Sequence, residues 1–441
     1  MSDRVASAQN TDRNYPSLWR NRDFLRLLFG RLVTNAGDSL YAVAAMWLVY
    51  DLTQSTVYTG LAEALLLLPL VLQFISGPLV DRWPIVRALV AIQFVQAIAI
   101  LLLPIAAYMG NLTVSLLLVT IPLLSLLNQF VYPAQTAALP RVVRDERLTR
   151  ANSAFSFTLH GLDMLFEALG GALIAFVGAA TLFILDSATF VLAALSFAGV
   201  RIPAREDTDQ ETSEMDVSGY LADQAEGLRA LRGTVFAEMT FVTMVVNFGV
   251  GMMLAVLPSF AAIRAGPALF GAMLGALGIG RALGAAIASR LETLKYGHIQ
   301  VIGAAGSCLL WLGAVYASWP PLTVCLFALA WIPPGIAGVM SATLEQTVTP
   351  NHLLGRVASV TASASTLTLP IGALLGGVAG NIIGSVSTMA VAGLGFGFVS
   401  CFYALRPRLR RLPAMNDIDP TKFKIHDESP SASKNPSDKH R

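Results

Sequence analysis

The sequence predicts an all-α integral membrane protein: twelve transmembrane helices forming two pseudo-symmetric six-helix bundles, with both termini in the cytoplasm. Three observations predict it. The 441 residues are 55% hydrophobic and 13% charged, where soluble domains carry about 25% charge. Apolar stretches recur along the chain, each long enough for a bilayer crossing of about 20 residues. Finally, 27 of the 30 lysines and arginines fall on one side of the resulting topology.

Residues 1–23 form a polar N-terminal segment without the apolar core and cleavage site of a secretory signal peptide. Six spans follow at 24–49, 56–80, 86–108, 113–139, 153–178 and 181–200, making an N-terminal bundle of 24–200. Six more lie at 235–262, 268–289, 298–317, 321–348, 355–382 and 386–405, making a C-terminal bundle of 235–405. The N-terminal end carries Arg4, Arg13, Arg20, Arg22 and Arg26, and nine basic residues follow Leu405. Connectors after the even spans carry Arg82 and Arg87, then Arg141, Arg144, Arg147 and Arg150, then Arg201, Arg205, Arg229 and Arg232, then Arg290 and Lys295, then Arg356. The odd connectors hold only Arg264, while Arg31 and Arg281 lie inside spans. Basic connectors stay cytoplasmic, so the span count is even and both ends are inside. One misplaced span would scramble this alternation.

Two polar regions remain. In the connector 201–234 the first half is acidic, and YLADQAEGLRALRG reads as a short amphipathic helix. The tail 406–441, charged and rich in Ser, Pro and Lys, is expected to be a disordered cytoplasmic extension. Cys308, Cys325 and Cys401 fall in spans without disulfide or metal spacing. The chain has no GxxxxGK[ST] loop, no basic patch with interleaved aromatics, no HExxH, and no Ser/His/Asp or paired Cys/His arrangement. Neither a cofactor, a metal, a nucleic-acid partner nor an enzymatic activity is expected.

The halves echo each other. LPRVVRDERLTRANSAFS between spans four and five matches VTPNHLLGRVASVTAS between ten and eleven; EALGGALIAFVG in span five matches IGALLGGVAGNIIG in span eleven. Parallel six-helix repeats place a substrate cavity between halves that rock against one another. The loop after span two reads Gly77-Pro-Leu-Val-Asp81-Arg82, with Arg87 beyond it. Further stretches are LNQFVYPAQTAALPRVV, ILDSATFVLAAL, EGLRALR, LPSF and LEQTVTP…GRVAS. On this ordered set, residues 20–405 resemble the major facilitator superfamily, and within it the drug:proton antiporter branch that includes macrolide efflux proteins and the enterobactin exporter. The resemblance implies that Asp81 docks the halves by facing the start of span eleven near Gly355 and Arg141 or Arg144; a carboxylate suits a helix N-terminus. The sequence departs in three places: Trp83-Pro84 follows the loop motif, Phe166-Glu167 stands where antiporters carry Gly-Pro, and Arg281 in span eight replaces what is usually a small or apolar residue.

Ionisable groups inside membrane helices mark pathways, relays or pairs. Span one carries Arg31, Asn35 and Asp38; span five carries His160, Asp163 and Glu167. Each set forms a stripe on one helix face. At about 1.5 Å per residue, Arg31 and His160 lie roughly 10–12 Å from the cytoplasmic ends, Asp38 and Glu167 roughly 21–23 Å. The stripes are expected to share a polar interior, with Arg31 pairing Asp163. Glu167 and Asp38, then Asp163 and Glu63, are candidates to bind and release a proton as access alternates. A permanent ion-pair network that fixes helix packing is the competing reading, and His160 is also read as a packing histidine. Glu63 either extends the polar interior or points outward. Asp186 is expected to cap span six, and Arg281 to pair with Glu345 or attract an anionic substrate. Asn35, Gln129, Phe130, Asn247, Met252 and Met253 are candidate cavity residues; the methionines and Phe130 also suit ordinary core.

The expected function is secondary transport: export of a hydrophobic or amphipathic small molecule, a drug, macrolide or siderophore-like compound, by proton antiport. The expected setting is the cytoplasmic membrane, with a monomer facing the lipid bilayer. Alternatives on the same fold are a lipid or lysolipid flippase and a solute importer. A reading of another class is a non-transporting membrane receptor.

Overall fold

The computed structural model describes residues 18–71, 84–158, 162–202, 225, 227–229, 231–419 and 423; the side chains of 71, 145, 163, 164, 351 and 352 also fall outside it. The helices are α1 (Arg22–Thr53), α2 (Thr56–Val71), α3 (Ile85–Tyr108), α4 (Val114–Val142), α5 (Asp145–Ser156), α6 (Asp163–Val177) and α7 (Ala179–Ala198). After the connector come α8 (Val235–Ala262), α9 (Pro267–Ala288), α10 (Tyr296–Tyr316), α11 (Pro320–Ala330), α12 (Ile332–Val348), α13 (Asn351–Ile383), α14 (Ser385–Leu405) and α15 (Pro407–Arg410). Among the described residues, ten helical segments are long and apolar enough to cross a membrane, counting α11 and α12 as one. α2 and α6 supply two shorter apolar helices, and both border residues outside the description.

Local chemistry fixes the ends. The Asn21 side chain accepts the N–H groups of Asp23 and Phe24 at 3.1 and 3.2 Å, capping α1. Thr113 caps α4 through the Leu116 N–H. Gly178 joins α6 to α7 at φ +78°, and Gly384 joins α13 to α14 at φ +84°. Only glycine takes that backbone region freely. The same one-residue corner thus sits at equivalent places in the two halves, as the repeat requires.

The fifth span holds α5 and α6, with residues 159–161 between them outside the description. Asn35 donates from Nδ2 to the Thr158 carbonyl there at 3.0 Å. In the tenth, α11 and α12 break at Trp331, followed by Pro333 and Pro334, which lack the amide hydrogens that helix propagation needs.

Packing repeats between the halves. α1 and α3 lie on α7; correspondingly, α8 and α10 lie on α14. The halves then meet along two seams, α2 against α8 and α13, and α6 against α9. Glycine makes both seams tight. A Cβ on Gly60 would lie 2.5 Å from the Ala373 carbonyl oxygen and 2.8 Å from the Gly377 Cα; one on Gly171 would lie 2.5 Å from the Gly271 Cα. Thr56 donates to the Gly377 carbonyl at 2.8 Å, and Thr59 to that of Ala255 at 2.6 Å. These contacts lie near the Arg-poor ends of their helices.

The core follows the same division. One apolar cluster near the Arg-poor side joins both halves, holding Val43 and Ala62 with Phe260 and Phe270. Toward the Arg-rich side each half has its own cluster, around Phe24 and Phe197 in one and Phe236 and Tyr403 in the other. Among the described residues, the halves therefore share a core at the Arg-poor side and keep separate cores at the Arg-rich side.

Three expectations are corrected. Residues 406–419 are not free chain: Leu409, Leu412 and Ala414 are buried, Tyr296 N–H donates to the Pro413 carbonyl at 3.1 Å, and Met415 N–H to that of Glu292 at 3.0 Å. Leucines spaced among the arginines give this segment an apolar face that charge counting hides. The rest of the tail, except Phe423, lies outside the described residues. Asp186 does not cap its helix; it lies fully buried inside α7, which starts at Ala179 after Gly178. The third correction is the turn at Trp331 inside the tenth span, described above. In the connector, residues 225, 227–229 and 231 are helical. A Cβ on Gly227 would lie 2.8 Å from the Arg356 carbonyl oxygen, so this helix rests on α13.

Candidate functional site

A cavity of about 550 Å³ opens between the halves, walled mainly by the C-terminal half. Helical periodicity decides which side chains reach it. On α8 the lining face is Thr243, Asn247, Val250 and Leu254; on α12 it is Pro334, Gly338, Ser341 and Glu345. Tyr296, Gln300, Ala304 and Ser307 contribute from α10, Leu277 and Arg281 from α9. Leu67 and Glu167 come from the N-terminal half. Most of these positions lie toward the Arg-rich ends of their helices, and the glycine seams close the opposite end.

Trp331 occupies the α11–α12 break and lines the cavity. Phe396 meets its ring edge-on at 5.7 Å, and Trp311 and Phe327 pack against it at tilted and edge-on angles. This aromatic block offers a rigid apolar wall. Three buried polar atoms among the lining residues lack hydrogen-bond partners: Ser307 Oγ, Trp331 Nε1 and Glu345 Oε1. Leaving such groups unpaired costs about 1–3 kcal/mol each, a cost that a ligand with matching groups removes. Arg281 sits where α9 crosses Gly335, its guanidinium 6.0 Å from the Trp331 ring. Among the described residues no ion pair within 4.0 Å joins Arg281 to Glu345, so the wall carries separate positive and negative groups.

The expected residues divide accordingly. Glu167, Asn247, Arg281 and Glu345 line the cavity; Asn247 also donates to the Ser365 carbonyl at 2.9 Å. Met252 and Met253 do not line it. They are buried on the opposite face of α8, with Gly376 of α13 packed against Met252, and this corrects their assignment. Gln129 and Phe130 are half-buried on α4 and also lie off the cavity, Phe130 against the apolar cluster around Phe24. Arg31 is buried, with its guanidinium 5.3 Å from the Tyr132 ring. Asn35 donates to the Thr158 carbonyl of the fifth span, whereas Asp38 accepts from Asn128 Nδ2 of α4 at 3.0 Å. Glu167 lies on the cavity wall. Glu63 is 5% exposed, which rules out the outward-pointing alternative. Arg87 is exposed and Arg141 half-buried. Gly77, Asp81, Arg82, His160 and the Asp163 side chain lie outside the described residues.

Sequence reading missed Trp331, Ser307, Tyr296 and Gln300. The Trp-Ile-Pro-Pro run was a usable signal for a helix break, but the direction of its tryptophan was not. Cavity-lining serine or glutamine has the spacing of any helix face.

The family model described as transmembrane secretion effectors matches residues 17–432. The multidrug efflux pump Tap of Mycolicibacterium fortuitum is 26% identical over 408 residues, covering 88% of this chain and 96% of that protein. The enterobactin exporter EntS of Salmonella typhimurium is 26% identical over 295 residues, covering 64% and 68%. A bacterial homologue of the human lysosomal transporter Spinster, solved in an inward-facing and occupied conformation, superposes with a TM-score of 0.69 at 12% identity, covering 90% of this chain and 98% of that one. At that identity the likeness is one of fold.

Proposed function

Because the chain belongs to the transmembrane secretion effector family of major facilitator transporters, we propose that it exports a hydrophobic or amphipathic small molecule by proton antiport. In this reading it has twelve spans, both termini lie in the cytoplasm, and the Arg-rich side faces inward. The observation that carries it is the cavity of about 550 Å³ between the halves, lined mostly from the Arg-rich ends of its helices, with glycine seams toward the other end. An exporter collects its cargo from such a state, then parts the seams and closes the mouth. Export, as against import, draws on the efflux relatives Tap and EntS.

The wall chemistry suits an amphipath. An apolar body would lie on Trp331 and Phe396, an acceptor oxygen would meet Trp331 Nε1 or Ser307, and a basic group would meet Glu345 or Glu167. Cargo and proton need not share a residue. They need only stabilise different states of one rocking equilibrium. Glu167, beside the α6–α9 seam and in the cavity, is the acid best placed to sense both cargo and seam.

The test uses sealed inside-out vesicles holding the purified protein. An imposed proton gradient is expected to drive accumulation of an amphipathic dye, and Glu167→Gln to reduce it. Accumulation indifferent to the gradient would move the reading to a flippase or facilitator.

A further inference from the structure

Asp186 is fully buried on α7. A Cβ on Gly37 would overlap its carboxylate, so the acid sits directly against the α1 backbone. Its Oδ1 accepts the Thr189 hydroxyl at 3.0 Å, while Oδ2 has no hydrogen-bond partner. The next residue on α1 is Asp38, half-buried and held by Asn128. One turn further, the Tyr41 ring packs on Phe183 at 6.1 Å. Tyr41 is 4% exposed, and its hydroxyl also lacks a partner. Asp186 thus packs against the turn of α1 that carries Asp38 and Tyr41.

Among the described residues, the α3 side chains packed here are polar and uncharged. From α3, Gln93 and Gln96 are fully buried, chained to α1 by Thr34 Oγ1 to Gln93 Oε1 at 3.2 Å and Gln93 Nε2 to Gln96 Oε1 at 3.1 Å. Ser187, beside Asp186, donates to the Ala97 carbonyl of α3 at 3.0 Å. The ionisable side chains of α3, Arg87 and Tyr108, are exposed at its ends. α6 presents Glu167 to the cavity instead. Among the described residues, the titratable groups facing Asp186 are therefore Asp38 and Tyr41. Two neighbouring carboxyls, one of them fully buried, favour sharing one proton. The unpaired Asp186 Oδ2 and Tyr41 hydroxyl are buried polar atoms that such a proton would help to satisfy.

We propose that Asp186 and Asp38 together hold one transported proton, with the Tyr41 hydroxyl completing the site. The N-terminal half then carries the coupling ion and the C-terminal half most of the cargo site. Binding adds a proton to one carboxylate oxygen, and release returns it to water on the other side of the membrane. Asp38, the less buried acid, is the side of the pair that water reaches. This inference rests on the antiport reading above.

The experiment uses the full chain in sealed vesicles, with an amphipathic dye as probe. Asp186→Asn keeps the side-chain shape and the Thr189 contact. Gradient-driven accumulation is expected to fall by about tenfold or more, while dye-for-dye counterflow stays within about twofold of wild type. Tyr41→Phe is expected to shift the pH midpoint of accumulation; a tyrosine that merely packs leaves the midpoint in place. Wild-type accumulation in Asp186→Asn would overturn the inference alone. So would equal loss of counterflow and accumulation, which is the signature of a structural acid. Accumulation in wild type that follows a sodium gradient and ignores protons would overturn the identity of the ion. A wild type with no gradient dependence at all would bring down the antiport reading, and this inference with it.

Discussion

Gly171→Ala probes the rocking equilibrium with a single methyl group. The new Cβ would lie 2.5 Å from both the Cα and the N of Gly271 and from the Pro267 carbonyl oxygen, whereas ordinary contact begins at 3.4 Å. All three neighbours are backbone, so no rotamer change relieves the overlap. α6 and α9 must part by about 0.9 Å at this level, and overpacking of this kind costs about 1–3 kcal/mol. The cost falls on the state in which the seam is closed and is absent once the seam opens. At about 1.4 kcal/mol per factor of ten, the equilibrium is expected to move roughly 5- to 150-fold toward the state open at the Arg-poor side. Paired spin labels at Asn111 and Trp319, in Arg-poor connectors of opposite halves, would read this as a longer distance population. A folded variant whose distance distribution matches wild type would refute the reasoning.

Three further outcomes are expected. Arg264 donates to the Val315 and Ala317 carbonyls and lies 4.1 Å over the Phe260 ring, tying the ends of α8 and α10; Arg264→Ala should lower stability by about 1–3 kcal/mol, read by thermal unfolding in detergent. Asn35→Leu removes the donor that meets the Thr158 carbonyl in span five and should cost about 1–3 kcal/mol in the same assay; an unchanged melting temperature would contradict the role given to Asn35. Trp331→Phe keeps the aromatic wall but removes its unpaired Nε1 donor, and should weaken dye binding about fivefold in equilibrium dialysis; unchanged affinity would place the cargo elsewhere.

The architecture was largely legible because a bilayer imposes coarse rules. Span lengths and the segregation of arginine depend on no neighbour, and the expected span at 235–262 coincides with α8. The glycines of spans five and eleven were legible through recurrence, and Gly171 and Gly377 do sit in the seams. The features that were not legible depend on rotation and tertiary context. Met252 and Asn247 sit on one helix, and only packing decides that Asn247 meets the cavity and Met252 meets α13. Asp186 lies seven residues past the start of its helix, which a boundary error of two residues could not reveal. What fixes its setting is the missing side chain at Gly37, 149 positions away. The docked segment after Leu405 was hidden for a different reason. Its charge is real, but three apolar side chains, Leu409, Leu412 and Ala414, decide where it lies.

Reciprocity gives the most direct measurement of the central claim. If cargo and protons exchange through one rocking cavity, a cargo gradient alone must move protons the opposite way. Purified protein would be sealed in vesicles containing a pH-sensitive dye, at equal pH on both sides, and cargo added outside. Proton movement out of the vesicles as cargo enters, abolished by collapsing the cargo gradient, is the result the account predicts. Cargo movement with no change in internal pH would contradict it.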